Sequence, residues 1–447
     1  MLIIADPAAA AQITIQNSLE KHHNTREFVY PLLGEKNLVT LEGKEWKMWR
    51  GIFNPGFASG HLMSLVGSMV SDTVRFTGIL SGYAAKEKVF ELEEAVTRLT
   101  VDIIGNVVLD MSLEAQTSEN ELVKAFRDQL QWMPLPNDIN LFRKYNPMKW
   151  FVYRANTRIM NRYLDKLLEQ RFAHRQQEEK VNSKRNKPVI DLALDTYLKE
   201  TGQSGGSALP WQFKRSAIDH FKTFLFAGHD TTSSTACFVV HLLSKHPEAL
   251  EKVRQEHDEV YGSDTSKTAE AIANDPHSLN RLPYTLAVLK EVLRLFPPAS
   301  TVREGDPNTP ILFNGKEYPT DGFMLWPVAY GMHRQPDLWP NAEEFIPERF
   351  LVKEGDPLFP PKGAWRPFEY GPRNCVGQEL AYIELKIFMV LTLRDFDIRA
   401  AYEEQDKIDG KDRSTHTTKG DRAYQVLVAT AKPVLGYPSK VTKRKRQ

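Results

Sequence analysis

A segment near the middle of the chain constrains the fold more than any other feature. Trp211–Lys245 holds 35 residues without proline, between Pro210 and Pro247. Proline breaks a helix because it lacks a backbone N–H and its ring clashes with the preceding turn. Most globular helices have about 8 to 20 residues, and a helix of this length, at about 1.5 Å per residue, crosses a whole domain. The segment therefore predicts a fold organised around one long helix at about 211–245.

Helical periodicity also dominates the rest of the chain, and the strand–helix alternation of a doubly wound sheet is missing from the sequence. Prolines crowd residues 297–372, which favours irregular coil there. The prediction is a mainly α fold with small β-sheets. Amphipathic helices are predicted at 7–30, 59–84, 88–113 and 148–180, and short extended segments around 311–313, 323–326 and 424–429.

Composition excludes several classes of function. The 58 basic and 57 acidic residues nearly cancel, which argues against a nucleic-acid partner. Two cysteines in 447 residues exclude a disulfide framework and a multi-cysteine zinc site. The apolar stretches fall short of the ~18 residues of a membrane span, and the first residues lack the basic region of a signal peptide. Residues 436–447 are rich in lysine and arginine and predict a solvated basic tail.

Cys375 lies at the end of a glycine-bearing loop, directly before a predicted helix. The exposed N–H groups and the positive dipole at a helix N-terminus favour thiolate over thiol. Gly371 and Gly377 allow the backbone to approach a flat ligand closely, and Arg373 is suited to a carboxylate. Cys237 has none of these neighbours and fits a buried structural cysteine. The pattern therefore predicts a functional thiolate at position 375.

The long helix carries the segment Ala227-Gly228-His229-Asp230-Thr231-Thr232 at its middle. Glycine weakens a helix, and a threonine hydroxyl competes for backbone carbonyls one turn earlier. We therefore expect a local widening of the helix, of a kind that often marks functional sites. In the alternative interpretation, Gly228 only permits close helix packing, and Asp230 and Thr231 are polar-face residues.

The loop Phe368-x-x-Gly371-x-Arg373-x-Cys375-x-Gly377 resembles the haem-binding loop of the cytochrome P450 family of haem-thiolate monooxygenases. Other segments resemble family motifs in the same order along the chain. Ala227-Gly228-x-Asp230-Thr231-Thr232 is similar to the oxygen-activating segment. Glu291-x-x-Arg294, together with Pro347-Glu348-Arg349-Phe350, is similar to the structural triad of the family. Trp46-x-x-x-Arg50 is similar to its propionate-binding helix.

The resemblance implies a cytochrome P450 fold, a single haem-thiolate domain over 1–435 and haem b as cofactor. It makes the Cys375 thiolate the axial ligand of the iron, and Asp230 and Thr231 the residues that deliver protons. Glu291, Arg294 and Arg349 are expected to be structural. The expected haem-binding residues are Trp46, Arg50, Arg303, Phe368, Arg373, Cys375 and Gly377.

Partners and location follow from the resemblance as well. The chain has no dinucleotide-binding fingerprint, so electrons are expected from NADPH through a separate flavoprotein reductase. The substrates are expected to be O₂ and a small apolar organic molecule, as in fungal members of secondary metabolism. Microsomal relatives begin with an anchor and a first sheet region, which we expect to be absent here. The family implies the cytosolic face of the endoplasmic reticulum, and the missing anchor leaves a cytoplasmic location open.

Three alternatives remain at this stage. A shortened chain could retain haem as a pseudoenzyme without monooxygenase activity. Peroxide-driven chemistry would not need the Asp230–Thr231 pair. Gly202-Gln203-Ser204-Gly205-Gly206 formally matches the nucleophile elbow of a serine hydrolase, but that elbow needs a preceding strand and a following helix. A flexible linker is the favoured interpretation of this segment.

Overall fold

The computed structural model describes residues 1–133, 146–181, 187–202 and 209–445. Helices dominate this part of the chain, as predicted. Two π-helical segments, Gln12–Gln16 and Gly105–Leu109, extend the helices that precede them. The α-helices are α1 (Pro7–Ala11), α2 (His23–Leu33), α3 (Gly43–Phe53), α4 (Ser59–Ser64), α5 (Val66–Ala85), α6 (Leu92–Ile104), α7 (Glu121–Trp132), α8 (Met148–Val181), α9 (Val189–Thr201), α10 (Trp211–Lys245), α11 (Pro247–Tyr261), α12 (Thr268–Asn274), α13 (Pro283–Leu295), α14 (Ala329–Met332), α15 (Gln378–Leu393) and α16 (Tyr402–Asp409).

The strands form small sheets. They are β1 (Leu2–Ile4), β2 (Phe90–Glu91), β3 (Arg303–Glu304), β4 (Ile311–Phe313), β5 (Lys316–Tyr318), β6 (Met324–Pro327), β7 (Phe396–Ala400), β8 (Gln425–Val428), β9 (Thr430–Pro433) and β10 (Pro438–Lys443). Two sheets have the orders β1-β6-β3 and β2-β10-β7, and β4-β5 and β8-β9 are two-stranded. The β1–β6 pair is parallel, with Leu2 opposite Leu325, and the other pairs are antiparallel.

The chain folds into two compact units. The first consists of Met1–His22, Met69–Thr97 and Asp230–Gln447, and the second of His23–Ser68 and Arg98–His229. All the strands named above lie in the first unit, and so does the Cys375 loop. The single domain expected for 1–435 stays a prediction.

Each unit has its own apolar core. In the first unit, Ile13 and Leu325 are fully buried in a cluster that joins the N-terminal helix to the β1-β6-β3 sheet. In the second unit, the Trp49 ring stacks on Tyr197 with centroids 5.8 Å apart and lies 4.6 Å from the ring of His220. Aromatic pairs at such distances stabilise a core beyond the area they bury.

The long helix has the predicted bounds, Trp211–Lys245, but the expected widening is wrong. The helix is α-helical throughout. A Cβ at Gly228 would lie 2.6 Å from Cδ1 of Ile104, so the glycine is needed for close packing against α6. The alternative interpretation of Gly228 is therefore the one that fits.

Two predicted helices are shorter than expected. The helix predicted at 7–30 is interrupted between Gln16 and His23, where Ser18 has a φ of +45° and Lys21 pairs with Arg303 in an isolated bridge. The helix predicted at 88–113 ends at a left-handed Asp110. The apolar period continues through both segments, but the bridge to Arg303 overrides it in the first and the left-handed backbone at Asp110 ends the helix in the second.

The prediction of a solvated tail at 436–447 is wrong for the first half of that segment. Pro438–Lys443 form β10, which pairs with β7 from Ser439 opposite Ala400 to Lys443 opposite Phe396. Ser439 and Val441 are buried, whereas Lys443 is exposed. Alternation along a strand therefore buries the small and apolar residues and leaves the basic end in solvent.

Candidate active site

The Cys375 loop is closed by its own backbone. The N–H of Cys375 donates to the carbonyl of Phe368 at 2.9 Å, and the N–H of Asn374 donates to that of Gly371 at 3.1 Å. Helix α15 begins three residues after the cysteine, at Gln378. The thiol of Cys375 is exposed, whereas Cys237 is buried. A solvent-accessible sulfur therefore lies at the amino end of a helix, where a thiolate is favoured.

Gly371 is required by the geometry of this loop. Its φ is +120°, a conformation that side chains with a Cβ rarely adopt. A Cβ there would also lie 2.6 Å from the carbonyl oxygen of Thr14. Gly377 precedes α15, and a Cβ there would lie 3.9 Å from the sulfur of Cys375. Gly371 therefore lets the loop approach the segment around Thr14, whereas a Cβ at position 377 would be in ordinary van der Waals contact with the sulfur.

Phe368 joins the loop to the helix that follows it. Its ring lies 5.4 Å from the ring of Tyr382 in an edge-to-face arrangement, and 6.0 Å from Trp365. Tyr382 is on α15, and its pKa is raised by burial, with further contributions from Glu379 and Cys375. The aromatic contacts fix the loop against α15, which positions the cysteine.

Buried arginines surround the other end of the loop. Arg303 is fully buried, and its Nη1 donates to the carbonyl of Leu19 at 3.1 Å. Arg366 is 4% exposed, and its Nη2 donates to Thr14 Oγ1 at 2.7 Å and to Glu369 Oε1 at 2.8 Å. The same Glu369 lies 4.0 Å from Nη2 of Arg303. One carboxylate is thus placed between two buried guanidinium groups.

The Nε and Nη1 atoms of Arg366 are buried and have no hydrogen-bond partner among the described residues. A buried guanidinium with unsatisfied donors is costly, so this end of the loop fits an additional anionic group. Arg366 was not predicted as a site residue. The only sequence signal for it is an arginine inside the mostly apolar run Ala364–Phe368.

The other predicted propionate ligands are divided between the two units. Arg373 is half-buried in the Cys375 loop of the first unit. Trp46 and Arg50 are half-buried on one face of α3 in the second unit, where Arg50 Nε donates to Asn54 Oδ1 at 2.8 Å. Residues four apart share a helix face, so α3 presents this pair together. A joint role of Trp46, Arg50, Arg303 and Arg373 stays a prediction.

Asp230 is buried and is held by residues of β9. Its Oδ1 lies 2.5 Å from Nζ of Lys432, and its Oδ2 accepts a hydrogen bond from Thr430 Oγ1 at 2.5 Å. Lys432 also pairs with Glu93 at 3.1 Å. Sequence analysis missed these partners because they are distant from Asp230 along the chain. Thr231 is half-buried, and its carbonyl accepts from Thr235 Oγ1 at 2.8 Å.

The three residues of the predicted triad meet in the first unit. Arg294 donates from Nε and Nη2 to the two carboxylate oxygens of Glu291, at 2.7 Å each, and Arg349 Nε donates to Glu291 Oε1 at 3.3 Å. All three are fully buried. Arg294 Nη1 also donates to the carbonyls of His333 and Ala342, which ties the coil after α14 to α13.

The family is decided by comparison with known proteins. Residues 1–426 match the family model of cytochrome P450. The chain belongs to the cytochrome P450 family. It is 38% identical to the cytochrome P450 monooxygenase polC of Polytolypa hystricis, over 99% of this chain and 79% of the relative. It is 36% identical to acrF of Aspergillus aculeatus, over 98% and 90% respectively, and 31% identical to the rabbit (Oryctolagus cuniculus) cytochrome P450 4A7, over 89% and 75%.

The predicted fold class and enzyme class, a haem-dependent monooxygenase, are thereby confirmed, and the pseudoenzyme alternative is not favoured. These residues fit haem. An exposed cysteine sulfur suits the haem iron, and buried guanidinium groups suit the haem carboxylates. No helix of the described ranges is both long enough and apolar enough to span a bilayer. The hydrolase motif falls largely on 203–208, outside the described residues.

Proposed function

We propose that this cytochrome P450 inserts one atom of O₂ into a small apolar organic substrate of fungal secondary metabolism, and that the thiolate of Cys375 would bind the iron of haem b. The observation that carries the proposal is the exposed sulfur of Cys375 in a closed loop at the amino end of α15. The two fungal relatives over nearly the whole chain support the narrower assignment.

Haem, when bound, supplies the oxidation chemistry, and the protein supplies ligation, charge and proton transfer. In this proposal, Arg303 and Arg373 would bind carboxylates of the haem, and Trp46 and Arg50 are further candidates for this role. Arg303 is the buried member of this set, which favours pairing with an anion. Phe368 and Gly377 shape the loop around the sulfur, and the Glu291–Arg294–Arg349 cluster has a structural role.

Asp230 and Thr231 hold and move protons in this proposal. The carboxylate of Asp230 is already hydrogen-bonded to Thr430 and paired with Lys432, so it has a fixed position in the buried part of α10. The hydroxyl of the half-buried Thr231 is the neighbouring group that can pass a proton onward. Proton transfer through positioned side chains contributes typically about 10²- to 10⁴-fold to a rate.

We also propose that electrons come from NADPH through a separate flavoprotein reductase, at the cytosolic face of the endoplasmic reticulum. Support comes from the family and from the lack of a dinucleotide-binding fingerprint in the sequence. Reduction of the purified protein by such a reductase, added with NADPH, tests this part directly.

The decisive experiment is the spectrum of the carbon monoxide complex of the reduced protein. A thiolate ligand gives a red-shifted Soret band, which we expect in the parent and in Cys237→Ala. The two cysteines are the only ones in the chain, so Cys237→Ala is a matched control. Cys375→Ala should lose the band. A Cys375→Ala protein with the parent spectrum would refute the ligand assignment.

A further inference from the structure

Two charged side chains, Lys432 and Glu93, form a cluster with Asp230. The ammonium of Lys432 lies 2.5 Å from Asp230 Oδ1 and 3.1 Å from Glu93 Oε1. The side chain of Asp230 is 1% exposed, that of Glu93 14% and that of Lys432 21%. One ammonium therefore serves two carboxylates, and the carboxylate nearer to solvent is Glu93.

We propose that Lys432 and Glu93 are positioning residues that set the protonation state of Asp230. At rest, the ammonium of Lys432 is paired with the carboxylate of Asp230. When a hydronium ion transfers a proton to Asp230, one O–H bond of the hydronium breaks and water is left. The ion pair of Asp230 with Lys432 is then lost, and Glu93 keeps the ammonium paired. Lys432 stays protonated throughout, and no covalent bond other than the new O–H of Asp230 is formed. The inference rests on the proton-delivery role proposed for Asp230.

The electrostatics of Lys432 agree with this arrangement. Burial lowers the pKa of Lys432, but Asp230 and Glu93 raise it by more, so that its pKa lies above the ordinary lysine value. Lys432 is therefore a cation over the whole working range of pH. Leaving a largely buried cation without a partner is costly, and the second carboxylate avoids that cost when Asp230 becomes neutral.

The surrounding groups hold the cluster in place. Ser234 Oγ donates to the carbonyl of Ala431 at 2.8 Å, which ties α10 to β9 beside Lys432. Thr97 Oγ1 lies 3.5 Å from Glu93 Oε1. The buried thiol of Cys237 has a pKa well above its usual value, first because of burial and then because of Glu93, although Lys432 acts in the opposite direction. It is therefore neutral and adds no charge to the cluster.

The test is an infrared pH titration of the haem-loaded protein. The carbonyl band of protonated Asp230 is identified by its absence in Asp230→Asn. In Lys432→Met, which removes the charge but keeps a long side chain, we expect the band to appear at a pH higher by about 1 or more. In Glu93→Gln the ammonium is no longer shared, so the band should appear at lower pH than in the parent. Lys432→Arg should behave like the parent.

Opposite shifts in Lys432→Met and Glu93→Gln are expected from the proposed roles, whereas a loss of stability in both variants with an unmoved band would indicate a purely structural cluster. An unmoved band, or shifts in the same direction, would overturn the inference. If Lys432→Met does not fold, the titration of Glu93→Gln tests the inference by itself. A carbonyl band at the same pH as in the parent then overturns the inference. The proposed function is tested separately. If Asp230→Asn releases no more peroxide than the parent with reductase and NADPH, proton delivery by Asp230 fails, whatever the titration shows.

Discussion

Arg294 binds Glu291 through two parallel hydrogen bonds of 2.7 Å, and neither side chain is exposed. Bidentate guanidinium–carboxylate pairs combine geometric specificity with a strong interaction. A third residue, Arg349, donates to the same carboxylate. The hydrogen bond from Arg349, with those that Arg294 donates to the coil after α14, therefore joins α13 to the coil that leads toward the Cys375 loop.

Replacing the carboxylate of Glu291 is expected to lower the stability of the fold. Glu291→Gln leaves two buried guanidinium groups without a compensating charge, which should lower the free energy of unfolding by about 3 to 5 kcal/mol. We also expect little haem to be incorporated. Denaturant unfolding and the haem-to-protein ratio measure the two effects.

The matched control is Glu251→Gln. Glu251 begins a second Glu-x-x-Arg pattern, but its side chain is 64% exposed and lies 3.5 Å from Arg444. Removal of such a surface pair should cost about 1 kcal/mol or less. Equal losses in the two variants would contradict the structural role of Glu291.

Thr231→Ala should divert electrons from product into hydrogen peroxide, because the hydroxyl that passes the proton is removed. The measurement is peroxide and product formed per NADPH consumed, with the reductase present. Thr235→Ala is the control, since the Thr235 hydroxyl is bound within its own helix to the carbonyl of Thr231 at 2.8 Å. If both variants form the same amounts of peroxide and product per NADPH as the parent, Thr231 does not pass the proton.

Gly371→Ala should destabilise the Cys375 loop. The residue combines a φ of +120° with a Cβ position 2.6 Å from the carbonyl of Thr14, so strain of about 1 to 3 kcal/mol is expected. Gly78 is in α5, and a Cβ there meets no heavy atom within 4 Å. Gly78→Ala should therefore stabilise the protein by about 0.5 to 1 kcal/mol. Unfolding curves of the two variants should shift in opposite directions.

Asp421 is expected to contribute to stability against acid. Burial raises the pKa of Asp421, but hydrogen bonds from His241 and Lys245 lower it by more, so its pKa lies well below the ordinary value. A carboxyl whose pKa is depressed on folding stabilises the protein above its unfolded pKa, about 3.9. That contribution is lost as the pH falls from there toward the folded value.

Unfolding free energies measured between neutral pH and acid should therefore fall less steeply in Asp421→Asn than in the parent. Asp275→Asn is the control, because Asp275 is 59% exposed and lies 3.5 Å from the exposed Arg281. If the free energy of unfolding falls equally steeply toward acid pH in the parent and in Asp421→Asn, Asp421 does not have this role.

The features that were predicted correctly depend on local sequence. Pro210 and Pro247 bound α10 because proline disfavours the continuation of a helix, and the observed limits of α10 are Trp211 and Lys245. The position of Cys375 before α15 depends on neighbouring glycines and on the apolar period that follows. Such signals act over one or two turns of chain, so they can be recognised without a tertiary structure.

The partners of Asp230 could not be found in this way. Lys432 and Glu93 come from β9 and from the start of α6, and nothing in their own sequence neighbourhoods marks them as partners of a carboxylate in α10. The same holds for Arg366, whose contacts with Thr14 and Glu369 exist only because the loop folds against the N-terminal segment. Buried charges must be paired wherever the packing of distant elements places them. The sequence alone therefore determined the long helix and the cysteine loop, whereas tertiary packing decided which charges meet.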